Sequence, residues 1–149
     1  MEILISDTPE EGARVASRLV KKILSSRSNP VLGLATGGTP LRLYREMIRM
    51  YQAGELSFQD CTSFNLDEYV GLPPEDERSY HHYMRTHLYD QVDMDPDHIH
   101  LPNGCAGDLR QACRDYEQKI KESGGIDLQV LGIGAVSYTH LTLPTNREV

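Results

Sequence analysis

The sequence has no apolar run that approaches the ~20 residues of a membrane-spanning helix, which argues against an integral membrane protein. Its first residues, MEILISDTPEE, are acidic where a secretory leader would be basic, and no long apolar stretch precedes a cleavage site, so a cytoplasmic address is expected. Cys61, Cys105 and Cys113 are odd in number and form no CxxC pair, which argues against a disulfide framework and against a zinc site. The 15 basic residues fall short of the 22 acidic ones, leaving a formal charge of -7. No Lys/Arg cluster is long enough to track a nucleic-acid backbone, so any anion must be held by a local site. His81 and His82 are neighbours on a predicted helix and face different ways. His98 and His100 lie two apart on a predicted strand, with no third ligand spaced to join them, and no metal is expected. Neither a GK[ST] P-loop nor a GxGxxG fingerprint is present, and the lone Gly132-Ile133-Gly134 is too weak to imply a nucleotide cofactor.

What remains is an ordinary globular composition, 39% hydrophobic and 25% charged over 149 residues, which suits one domain with a real core. Strand and helix patterns alternate along it. Glu2 to Ser6 is a short apolar strand candidate. Thr8, Pro9 and Glu11 then give the capping-box spacing before a helix with Val15, Ala16, Leu19, Val20, Ile23 and Leu24 on one face. Val31 to Ala35 reads as a buried parallel strand, followed by a helix with Leu41, Tyr44, Met47, Ile48 and Tyr51 on its buried face, stopped by Gly54. A third strand leads into FNLDEYVGL, a helix covers Ser79 to Val92, and a short strand spans His98 to Leu101. Asp108 caps a helix that Gly124-Gly125 end, and Asp127 to Ile133 is the last strand. The spacing predicts right-handed crossovers and an α/β architecture, a mostly parallel sheet with helices on both faces.

Two stretches carry chemistry. Thr36-Gly37-Gly38-Thr39-Pro40 follows a strand, with Thr39 placed as N-cap and Pro40 as the first helical residue, so unpaired N–H groups and the positive helix end converge on a small volume suited to a phosphate. A tight turn with an ordinary cap would produce the same five residues. Asp67 and Glu68 stand at the end of the third strand. A partly desolvated carboxylate there, with its pKa tuned upward, can remove a proton from a carbon beside a carbonyl or imine. The plainer reading has one of them capping the turn at Gly71 or pairing with Arg78. Ligands of parallel sheets sit outside the carboxyl ends of the strands, where both stretches fall.

VLGLATGGTP, FNLDEYVGL and VLGIGA together resemble the glucosamine-6-phosphate deaminase family, within the wider group of 6-phosphogluconolactonases and ribose-5-phosphate isomerase-like folds. The resemblance covers residues 1–135 and implies a three-layer Rossmann-like fold, incomplete at its C-terminal side. It implies isomerisation and deamination of glucosamine 6-phosphate to fructose 6-phosphate and ammonia, without metal or cofactor. Asp67 matches the residue that moves a proton from C2 to C1 of the opened sugar. Glu68 stands in the same motif, as an orienter of the substrate or its neighbours. Thr36, Gly37, Gly38 and Thr39 match the turn lining the phosphate end of the pocket.

Beyond Ala135 the chain departs from the family. Val136 and Tyr138 stand where the family's ring-opening Asp and His would be counted, and His140 has the wrong spacing to replace the latter. Residues 136–149 are therefore expected to be a disordered, non-family tail, and the activity to be impaired. A lactonase-like or other isomerase activity, or a sugar-phosphate-binding remnant without turnover, stays open at this stage. The expected partner is a small phosphosugar, with no nucleic acid or membrane, and homo-oligomerisation is left open.

Overall fold

Val31–Leu34, apolar apart from one glycine, becomes β1, and every residue of it is buried. Thr62–Asn65 forms β2, Ile99–His100 β3 and Leu128–Gln129 β4, and the four lie side by side in the order β3-β2-β1-β4. All three pairings are parallel, with Leu34 opposite Asn65 and Leu32 opposite Leu128. The helices are α1 (Pro9–Ser26), α2 (Pro40–Gln52), α3 (Tyr80–His87) and α4 (Leu109–Glu122). This computed structural model describes residues 3–132.

The connections from β1 to β2 and from β2 to β3 step the same way across the sheet, so right-handed crossovers lay α2 and α3 on one face. The return from β3 to β4 runs the other way and lays α4 on the opposite face. Alternation along β2 agrees. Ser63 and Asn65 both meet the Tyr89 hydroxyl, just beyond α3, whereas Phe64 packs edge-on against Tyr116 of α4. The core fills the first face: Leu32 and Leu34 pack with Val20 of α1, Leu43, Tyr44 and Met47 of α2, and Met84 of α3. No residue of α4 is fully buried.

The α/β architecture is as expected, but several elements are shorter. Residues 3–6 form no strand, and Ile5 is 92% exposed. A strand exists only by pairing, and none of the four strands takes this segment as a neighbour, however apolar it is. Thr8 does start α1, accepting the Glu11 N–H at 3.2 Å, while the Glu11 carboxylate reaches past it to the Asp7 N–H at 3.1 Å. The helix expected over 79–92 stops at His87, because Leu88 leaves helical geometry (φ -146°, ψ -64°). A 3-10 turn over Tyr89–Gln91 follows, and Tyr89 reaches β2. His98 ends a second 3-10 turn, so it does not share a strand with His100. Among the described residues of the expected last strand, Leu128 and Gln129 pair with β1, while the Asp127 carboxylate accepts the Val31 N–H at 2.9 Å. The expectations for Ile133, Gly134 and the 136–149 tail lie outside the described residues.

Candidate active site

The glycine turn is built from β1 outward. Tyr44 of α2, fully buried, places its hydroxyl between the N–H and the C=O of Ala35, donating to the carbonyl and accepting from the amide. That pair of bonds holds the last residue before Thr36. Gly37 then adopts φ +108°, a conformation that L side chains rarely adopt, and an added Cβ at Gly37 or Gly38 would meet open space. Thr39 occupies the N-cap position, but its backbone is already helical (φ -68°, ψ -48°) and its side chain makes no capping bond. The expected cap is thus absent, because the turn has wound into the helix one residue early. No side chain of the turn claims the first N–H groups of α2.

The acids lie at the same end of the neighbouring strand. Because β2 ends at Asn65, strand alternation no longer governs Asp67 and Glu68, and their surroundings differ sharply. The Glu68 side chain is only 1% exposed. It accepts the N–H groups of Tyr69 (2.8 Å), Tyr80 (2.9 and 3.0 Å) and His81 (3.2 Å), and its Oε2 lies 2.9 Å from His81 Nδ1. Burial alone would raise its pKa, but these hydrogen bonds outweigh burial and hold it below the ordinary glutamate value. Asp67 moves the other way: although the residue is exposed, partial desolvation of its carboxyl, and behind it the charge of Glu68, raise that carboxyl above the ordinary aspartate value. Glu68 therefore caps α3 and not the turn at Gly71. Arg78 pairs with neither acid, its guanidinium lying 2.7 Å from Asp76.

Tyr80 ties the two stretches together. Its phenol donates to the Tyr69 hydroxyl at 3.2 Å, and that bond together with burial pushes its pKa up to about 12, while the Thr36 hydroxyl beside it pulls the other way and Asp67 adds to the rise. One turn further on, the Tyr83 hydroxyl donates to the Gly37 carbonyl at 2.6 Å. Both tyrosines fall within the helix that the sequence predicts over 79–92, where nothing local marks them as site residues. Their spacing at i and i+3 signals a shared face, but nothing in it shows what that face meets. Asn103 to Cys105 supports the acid segment from below: Gly104 accepts the Gly71 N–H at 2.9 Å, and a Cβ on Gly104 would come within 2.1 Å of the Tyr69 carbonyl. A cleft of about 400 Å³ borders Asp67 and Glu68 from the α4 side, with Leu66, Val70, Leu109 and Tyr116 in its walls. None of Thr36 to Thr39 lines it, so cleft and turn are separate features that flank the acid segment.

A parallel α/β sheet with a glycine turn and an acid pair following the carboxyl ends of adjacent strands is the arrangement of the doubly wound class, whose ligands sit outside those ends. The family model for glucosamine-6-phosphate isomerases/6-phosphogluconolactonase matches residues 6–139, and the chain belongs to that family. It is 48% identical over 135 residues to glucosamine-6-phosphate deaminase 2 of Bacillus subtilis (strain 168), covering 91% of this chain and 54% of that protein. It is 45% identical over 147 residues to the glucosamine-6-phosphate deaminase of Halothermothrix orenii, covering 99% and 61%. Among solved structures, a monomeric glucosamine-6-phosphate deaminase superposes with a TM-score of 0.87 at 44% identity, over 90% of this chain and 56% of that one. The 6-phosphogluconolactonase of Thermotoga maritima, at 19% identity and a TM-score of 0.72 over 89% and 59%, shares the fold. The chain thus spans between half and two thirds of the length of the relatives it matches.

Proposed function

We propose that the site takes glucosamine 6-phosphate, isomerises the opened amino sugar and releases ammonia. The Asp67 carboxylate takes the proton from C2 of the open-chain aldose, and the electron pair left behind forms the C1–C2 double bond as the aldehyde oxygen gains a proton. Returning the proton from Asp67 to C1 leaves a C2 imine. Water adds there and ammonia departs, giving fructose 6-phosphate. The Thr36-Gly37-Gly38-Thr39 turn receives the phosphate through its N–H groups and hydroxyls. Glu68 acts on its neighbours, fixing α3 and adding the charge that raises Asp67. Consumption of a phosphorylated sugar suits a hydrolase of the cytoplasm.

The observation that carries this reading is that the glycine turn and Asp67 follow the carboxyl ends of adjacent parallel strands, where Leu34 lies opposite Asn65, with the Asp67 carboxyl raised above the ordinary aspartate value. A base whose pKa is shifted toward neutrality is the kind that carbon acids require. The test is ammonia release from glucosamine 6-phosphate alongside calorimetric titration with the same sugar. Saturable binding, with any release abolished by Asp67→Asn, supports the reading. Release that survives Asp67→Asn removes the assigned base, and an absence of binding removes the site.

A further inference from the structure

The peptide between Gly37 and Gly38 is flanked by two residues without Cβ atoms, and both positions face open space. Rotating such a peptide by half a turn meets little steric resistance, so sterics alone do not decide which way its N–H points. The hydrogen bond from the Tyr83 hydroxyl to the Gly37 carbonyl, at 2.6 Å, does decide it. In a trans peptide the C=O and the following N–H point in opposite directions. Holding the carbonyl against α3 therefore turns the Gly38 N–H away from α3.

Tyr83 is well placed for this. Its ring lies against His87, one turn on, with centroids 4.6 Å apart, and its phenol is half-buried. Burial raises its pKa above the ordinary tyrosine value, so the hydroxyl keeps its proton and remains a donor. The N-terminus of α3 is in turn pinned by the Glu68 carboxylate and by Ser79, whose Oγ accepts the His82 N–H at 3.0 Å.

We infer that Tyr83 is a positioning residue for phosphate recognition: its hydroxyl holds the Gly37–Gly38 peptide with the Gly38 N–H free for the phosphate and the Gly37 oxygen turned away from it. The inference rests on the proposed reading of the glycine turn as the element that receives the phosphate. Without the hydroxyl the peptide is free to flip, presenting a carbonyl oxygen to an anion in place of a donor.

The test compares the unaltered full chain with Tyr83→Phe, titrated with inorganic phosphate, glucosamine 6-phosphate and unphosphorylated glucosamine, with thermal melts in parallel. Tyr83→Phe is expected to weaken both phosphorylated ligands about tenfold, the order expected for one hydrogen bond to a charged group, and to leave glucosamine unchanged. Equal affinities in the two proteins, or a loss that extends equally to glucosamine, overturn the inference. A readout that does not depend on the variant folding is the Gly38 amide resonance of the unaltered chain, which should shift on adding inorganic phosphate and overturns the inference if it stays still. The proposed activity fails separately: phosphate binding that needs Tyr83 without any Asp67-dependent deamination refutes the reaction alone, whereas deamination with identical KM in Tyr83→Phe refutes the positioning role alone.

Discussion

The backbone N–H of Tyr80 donates to both oxygens of the Glu68 carboxylate, 12 residues back along the chain, at 3.0 and 2.9 Å. The residue beside the proposed base is therefore the anchor of α3, the helix whose tyrosines face the glycine turn. Asp67 is held by a segment that is itself held by Glu68, so stability and chemistry meet in adjacent residues.

Glu68→Gln should destabilise the fold by about 1–3 kcal/mol, because an amide nitrogen would face backbone donors that now meet a carboxylate. The acid dependence follows from the lowered pKa. Its contribution is fully present above the ordinary glutamate value of 4.5 and is lost as pH falls through the lower folded-state value. Thermal melts from pH 7 down to pH 3 should show acid destabilisation in the unaltered chain and a flatter profile in the variant. Parallel profiles would count against Glu68 as the helix anchor.

Asp67 carries the opposite sign. A carboxyl whose folded pKa is raised costs stability once it ionises, above that raised value, and costs none below the ordinary aspartate value of 3.8. Asp67→Asn should therefore melt at the same or a higher temperature at neutral pH, while any ammonia release drops a hundredfold or more. A clear loss of melting temperature at pH 7 would show that the carboxylate stabilises the fold.

Tyr44→Phe removes the hydroxyl that serves both backbone groups of Ala35 in the core. About 1–3 kcal/mol should be lost in urea unfolding, since two buried polar groups are left without a partner. Phosphosugar binding should weaken as well, because Ala35 leads directly into Thr36.

Along β4 a cleft of about 300 Å³ lies between Val130, Leu131 and the helices α1 and α2, walled by Ala13, Pro40 and Leu43. Leu131 is 65% exposed and β4 lies at the end of the strand order. Among the described residues this apolar edge is uncovered, and such an edge promotes pairing between chains. Sedimentation should show concentration-dependent association, reduced in Leu131→Lys; association unaffected by that change would locate the contact elsewhere.

The legibility of this protein in its sequence was uneven, for local reasons. Thr8, Pro9 and Glu11 announce the start of α1, and Asp108 caps α4 by accepting the Gln111 N–H at 2.9 Å, because caps are made between residues three apart. The apolar run at Val31 announces a buried central strand for the same reason. Pairing is not local. Ile3, Leu4 and Ile5 have strand composition without a strand partner among the described residues, and of the strand expected over Asp127 to Ile133 the described part pairs at Leu128 and Gln129.

At the site the division is similar. Residue order alone determined that a glycine turn and an acid pair would follow adjacent parallel strands, since right-handed crossovers leave few other arrangements. Only the tertiary structure decided that Glu68 turns inward to α3 while Asp67 keeps the perturbed carboxyl, and that Tyr80 and Tyr83 reach the turn. Those roles depend on where a helix 12 and more residues away docks, and a side chain's pKa and partners are set by that docking and not by its neighbours in the chain.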